Sequence, residues 1–262
     1  MEHEVFSKSP LKLCLLQTVF SPIVNMEKYI PEIQDCLRKE GFPLFSERIL
    51  PLIDFESNGA KNSSCKQWIF QSSDLQELLV VDLNLIVYQV FEYEKFEIFF
   101  ARYKSIIKKF FEILQFFPAG VINRIGLRYI NVIRDDNWKK YLNKSYQGIE
   151  LPSNIVKDPK TAFTSSMMQS GTKLDLKSVG NIIVKIYQNN QGIDVPADIV
   201  SNTQIIPTNK LVTFIDIDHF VQFSNTVKIN FEQIQEFTEK LHRVSSIVFL
   251  DSISEEAKKT WK

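Results

Sequence analysis

Apolar and polar residues alternate along this chain with a period that shifts between two and three to four, and those shifts mark out its elements. Leu11 to Phe20, bounded by Pro10 and Pro22, reads as a first strand. A helix follows, with Pro31 suited to its first turn and Gly41 to the position just past its end. Residues 54–66, with Asn58-Gly59 and Asn62-Ser63-Ser64, read as a polar loop. Trp68 to Gln71 and Leu78 to Tyr93 then read as two arms of a hairpin turned at Ser72-Ser73-Asp74. Along the second arm Leu79, Val81, Leu83, Leu85 and Val87 share one face, and Val80, Asp82, Asn84, Ile86 and Tyr88 the other.

Phe96 to Phe117 carries the clearest helical stripe: Phe99, Tyr103, Ile106, Ile107, Phe110 and Leu114, with Lys104, Lys108 and Lys109 on other sides as a solvated face. Pro118 and Gly120 stop it, and Val121 to Ile133 is a strand. Residues 134–172 are polar and read as a hinge between halves. Three strands follow, around Ala162 to Leu176, Asn181 to Asn189 and Leu211 to Phe223. A long helix begins near Asn230, where Gln233 completes a capping box, and Ile234, Phe237, Leu241, Val244 and Val248 form its buried stripe. Ser254 caps a short last helix, with Glu255 and Glu256 at its positive end.

Strands that follow one another without intervening helices favour antiparallel pairing. The fold class is therefore α+β: twisted antiparallel sheet covered by two long helices. Strands then a long helix occur twice, over 68–117 and 180–250, as in two similar halves packed together. The division falls into an N-terminal half, 1–133, and a C-terminal half, 134–262, with one single domain as the alternative.

Composition narrows the chemistry. The 262 residues are 44% hydrophobic, an ordinary globular share, and 21 are Phe, which points to a core of large rings. Formal net charge is +0, so no global field draws the chain to nucleic acid or an anionic membrane. Cys14, Cys36 and Cys65 are too few and too scattered for a disulfide framework, and Cys36 sits in an apolar stretch, as a buried thiol would. The acidic start Met1-Glu-His-Glu resembles no signal peptide, and the apolar run from Leu78 to Phe91 is cut by Asp82, Asn84 and Gln89. A cytoplasmic address is expected, with no membrane partner.

Phosphate-loop, dinucleotide, zinc-protease and nucleophile-elbow motifs are all missing, and 8 Gly and 3 His leave little to build them from. No cofactor, metal site or catalytic residue is assigned. The segment with most content is Arg124-Ile-Gly-Leu-Arg128-Tyr129-Ile-Asn131. On a strand Arg124, Gly126 and Arg128 share one face, and Tyr129 and Asn131 the other. Two Arg beside a Gly can grip a phosphate or carboxylate; equally, they can pair with carboxylates on neighbouring strands. Asp216-Ile-Asp218-His219 places Asp216 and Asp218 on one face and His219 on the other. Two such carboxylates can share a divalent cation, or can simply be the partners of Arg124 and Arg128. Asp175-Leu-Lys177 matches the tail of a restriction-type nuclease motif, a pairing this composition produces by chance. His242 reads as a structural histidine, and Trp68 and Trp261 as packing anchors.

Several of these segments together resemble a sporadically distributed family of uncharacterised prokaryotic proteins of about this length. They are Phe20-Ser21-Pro22-Ile23, Trp68-Ile-Phe-Gln-Ser-Ser-Asp74, Arg124-Ile-Gly-Leu-Arg-Tyr-Ile-Asn131, Leu241-His242, Ile253-Ser254 and Trp261. The resemblance implies no reaction and no catalytic residue. A scattered distribution of that kind is shared by mobile and defence-associated genes. The expectation is a non-enzymatic protein-interaction or regulatory component of an anti-phage defence or toxin–antitoxin module, with a protein partner or a second copy of itself. The alternative is a nucleic-acid or nucleotide binder, or a metal-dependent nuclease, using Arg124, Arg128, Tyr129, Asn131, Asp216 and Asp218.

Overall fold

A computed structural model of the chain describes residues 6–56, 59–148, 165–175, 178–189, 196, 199–201, 211–223, 228 and 230–262. Nine strands and four helices are laid out along it. The strands are β1 (Leu11–Phe20), β2 (Leu44–Glu56), β3 (Gly59–Gln71), β4 (Glu77–Val81), β5 (Leu85–Val90), β6 (Ile122–Ile133), β7 (Ser165–Lys173), β8 (Val179–Asn189) and β9 (Val212–Gln222). The helices are α1 (Met26–Lys39), α2 (Phe96–Ile113), α3 (Phe231–Ser252) and α4 (Glu255–Trp261). All nine strands join one sheet in the order β2-β3-β4-β5-β1-β6-β9-β8-β7. The β2/β3, β3/β4, β4/β5, β7/β8 and β8/β9 pairs run antiparallel. The fold is α+β with a large antiparallel sheet.

Contacts gather into two compact units, one of Met1–Cys14, Gly126–Val221 and Phe237–Lys262, the other of Leu15–Ile125 and Gln222–Glu236. The second unit holds most of the phenylalanine. Every residue of the α2 stripe, from Phe99 to Leu114, is buried as its spacing predicts. Phe110, Phe111 and Phe116 close on Phe20 of β1 with ring centroids 5.5–5.9 Å apart, in tilted and edge-on geometries that rings favour. In the first unit, Ile182, Val184 and Ile186 of β8 and Ile215 and Ile217 of β9 pack with Ile253, Ala257 and Trp261 from the C-terminal end. Trp261 stacks on Tyr141 at 5.6 Å. Both Trp68 and Trp261 are buried anchors, as the sequence suggests.

Caps set several boundaries as read from the sequence. Asn230 and Gln233 make the reciprocal capping box at the start of α3, with N–O distances of 3.0 and 2.8 Å. Ser254 accepts from Ala257 N at the start of α4. Gly41, at φ +94°, follows α1, and Phe42 N reaches back to Leu37 O while Gly41 N reaches Arg38 O. That left-handed exit is one only glycine adopts without strain.

Other expectations are corrected. Residues 54–66 are not a loop: the β2/β3 register runs from Leu44↔Gln71 to Glu56↔Gly59, so most of that stretch is strand. Leu78 to Tyr93 is two strands, not one. Asp82 accepts from Asn84 N at 2.9 Å and Asp82 N donates to Leu85 O at 3.0 Å, which folds β4 back on β5. Pro31 lies in the second turn of α1, which starts at Met26. The long helix α2 ends at Ile113, short of Phe117, because Gln115 takes φ +49° and Phe116 N bonds back to Phe111 O. Cys36 is half-buried rather than buried. The parts of the expected hinge and of the strand at 162–164 and 176 that fall among 149–164 and 176–177 lie outside the described residues.

Candidate functional site

The pleat of β6 and β9 sends alternate residues to opposite faces of the sheet. On one face Arg128 meets Asp216. Arg128 Nε donates to Asp216 Oδ1 at 2.8 Å and a terminal nitrogen donates to Oδ2 at 2.7 Å, a two-point fork. The side chains are 13% and 2% exposed, so the carboxylate is buried beneath a part-buried guanidinium. Lys185 stands opposite Asp216 in the β8/β9 register. For these two residues the arrangement is the cross-strand ion pair, and the fork that would grip an anion already holds a carboxylate.

The opposite face carries Tyr129, Asn131 and His219. Asn131 is buried and its amide donates to Ile215 O at 3.4 Å, tying β6 to β9. His219 is fully buried and acts as a three-way tie. Its Nδ1 lies 3.0 Å from Leu241 O on α3; a carbonyl only accepts, so Nδ1 carries the proton. Nε2 then accepts from Thr172 Oγ1 of β7 at 2.7 Å, and Ser245 Oγ lies 3.3 Å from Nδ1. Burial holds the imidazole down at about 4 against an ordinary 6.5, with the Leu241 carbonyl pulling the other way, so the ring is neutral at pH 7. Gly180 of β8 makes room for this tie: a Cβ there would stand 2.8 Å from Thr172 Oγ1 and 3.0 Å from His219 Nε2.

Beside it, Tyr129 hydroxyl hydrogen-bonds His242 Nδ1 at 2.8 Å. Burial pushes the Cys14 thiol well up, and a hydrogen bond with Tyr129 partly offsets that. The core side of α3 is accordingly polar. Thr238, His242 and Ser245 are buried with Ile234 and Leu241, while Phe237, Val244 and Val248, expected in the stripe, are only half-buried. Sequence periodicity missed these polar members because it weighs apolar residues alone. A buried hydroxyl–imidazole network fixes which strand lies under which helix turn, and the thiol within it is protonated and sealed. Asp175 is likewise structural: it accepts from Ser178 N at 2.7 Å and pairs with Lys240 at 2.5 Å, while Lys177 lies outside the described residues. No group of three or more His, Cys, Asp or Glu that could hold a metal ion occurs among the described residues.

What the sheet does offer is an edge. Among the described residues, strand β7 closes the strand order and pairs with β8 alone, from Ser165↔Tyr187 to Lys173↔Val179. Both of its faces are largely exposed, with Met167 at 66% and Met168 at 46%. Met168 stands opposite Val184, which is 2% exposed, so the oily face of β8 runs out sideways onto an uncovered neighbour. Of nine residues only Lys173 is charged, and none is proline. At the far edge, β2 carries Glu47, Arg48 and Pro51, the usual means of discouraging further pairing. Thr172 of β7 is half-buried, and its bond to His219 fastens this edge to the body. The lack of any apolar face in Ser165–Lys173 is the sequence signal that could have marked it as an edge.

Among the described residues, no helix is long and apolar enough to cross a membrane. No family model matches the chain, and no curated protein matches it.

Proposed function

We propose that this chain is a non-enzymatic protein-interaction component that works by accepting a partner strand along the outer edge of β7. The observation that carries it is the proline-free outer edge of a nine-residue strand whose one charged residue is Lys173, largely exposed on both faces, at the end of the nine-stranded order. Main-chain N–H and C=O groups along such an edge bind an extended segment, and alternate side chains select it. The polar chemistry elsewhere is turned inward, in the Arg128–Asp216 fork and the His219 tie, which favours this over the nucleic-acid or metal-nuclease alternative. A role in an anti-phage defence or toxin–antitoxin module, in a prokaryotic cytoplasm, is the narrower proposal, and its support is the family resemblance alone.

A pair of proline variants tests the edge. Neighbouring residues on an edge strand point their N–H groups alternately at β8 and at the outside. Of Met167→Pro and Met168→Pro, one removes a bond to β8 and lowers the melting temperature. The other removes an outward donor and keeps it. Partner capture in gentle co-purification is expected to vanish in that second variant. Capture that survives in both, or a protein that stays alone while consuming a small molecule, refutes the proposal.

A further inference from the structure

The strand that β7 accepts can be identified from β7 itself. We propose that it is the β7 of a second copy of this chain, paired antiparallel about a two-fold axis through Gln169. This rests on β7 being a binding edge. Antiparallel pairing of a nine-residue strand with itself puts Gln169 opposite Gln169, Met168 opposite Ser170 and Met167 opposite Gly171. Each bulky thioether then faces a residue with little or no side chain, and directly opposed side chains are the ones that must fit. Two glutamine amides face each other and can exchange N–H and C=O. The one charged residue, Lys173, faces Ser165, so no like charges meet.

Closure also favours this pairing. An isologous contact uses the same patch on both copies and stops at two. Pairing β7 of one copy with β2 of the next would leave both ends open and grow into fibres. Pro51, which has no N–H, and the Glu47–Arg48 pair sit in the β2 edge and oppose that route. Exposed Met168 would gain a neighbour from the second copy, extending the face that begins at buried Val184, and exposed Met167 would gain one on the opposite face.

Sedimentation equilibrium of the full chain tests this. The native protein is expected to run at twice its 30.5 kDa chain mass at micromolar concentration. Gln169 is exposed, so Gln169→Lys and Gln169→Glu are expected to fold with unchanged circular-dichroism melting. Each places two like charges across the axis and is expected to weaken self-association at least about tenfold, giving monomers. Mixing the two variants restores a dimer. A dimer indifferent to Gln169→Lys overturns the proposal. So does a monomeric native chain; if that monomer still captures another protein and loses it on Gln169→Lys, the edge itself remains the binding site. A monomer that captures nothing ends both.

Discussion

Asp216 is held by two hydrogen bonds from one guanidinium and almost no water. Removing it leaves Arg128 part-buried without its counter-charge. Asp216→Ala is therefore expected to cost about 3 kcal/mol in denaturant unfolding, and Arg128→Met with Asp216→Leu is expected to recover much of that loss, because an apolar pair needs no desolvation of charge. His219 sets a pH dependence. Its folded value of about 4 lies below the ordinary 6.5, so between those limits the unfolded chain binds a proton that the folded chain refuses. Stability is full above pH 6.5 and falls as pH drops toward 4, by about 1.4 kcal/mol per pH unit and about 3 kcal/mol at most. Urea unfolding at pH 7 and pH 5 checks it. His219→Gln is expected to flatten the difference, and an equal slope in both proteins would contradict it. The sequence offered the Arg128–Asp216 pair as one of two readings but could not choose it, because which strand faces meet depends on β6 and β9 being neighbours; the tie at His219 was not legible at all.

At the scale of elements, caps were more legible than interiors. Asn230, Gln233, Ser254 and Gly41 act through neighbours a few residues away, so their chemistry is written locally. Asn230→Ala is expected to cost about 1 kcal/mol of stability, and a loss below a few tenths would show that α3 is held by packing alone. The exit of α2 was illegible because Gln115, rather than glycine, occupies the left-handed position. The turn at Asp82 was hidden inside an alternation that runs straight through it, and the far end of the β2/β3 ribbon, over 54–66, was hidden by its polar composition, since two paired strands need not carry an oily face to form hydrogen bonds. On α3 the apolar rule pointed correctly to Ile234 and Leu241 but also to Phe237, Val244 and Val248, which are half-buried; Thr238, His242 and Ser245 complete the buried side, and His242 and Ser245 meet Tyr129 and His219 on strands.

Across the whole molecule, the α+β class and the antiparallel sheet followed from uninterrupted runs of strands, but the strand order did not. The lack of an apolar face in Ser165–Lys173 marks a strand that little covers, and so a candidate edge, but its place beside β8 is set by the assembled sheet. The proposed function depends on that order, since an edge exists only in the assembled sheet. Hydrogen–deuterium exchange resolved to single amides over residues 165–173 tests this most directly. In protein isolated gently with its natural partners, or concentrated alone, alternate amides that point away from β8 are expected to exchange slowly, and to speed up on dilution. Outward amides that exchange at unprotected rates under every condition, while their β8-bonded neighbours stay slow, would contradict strand addition at β7.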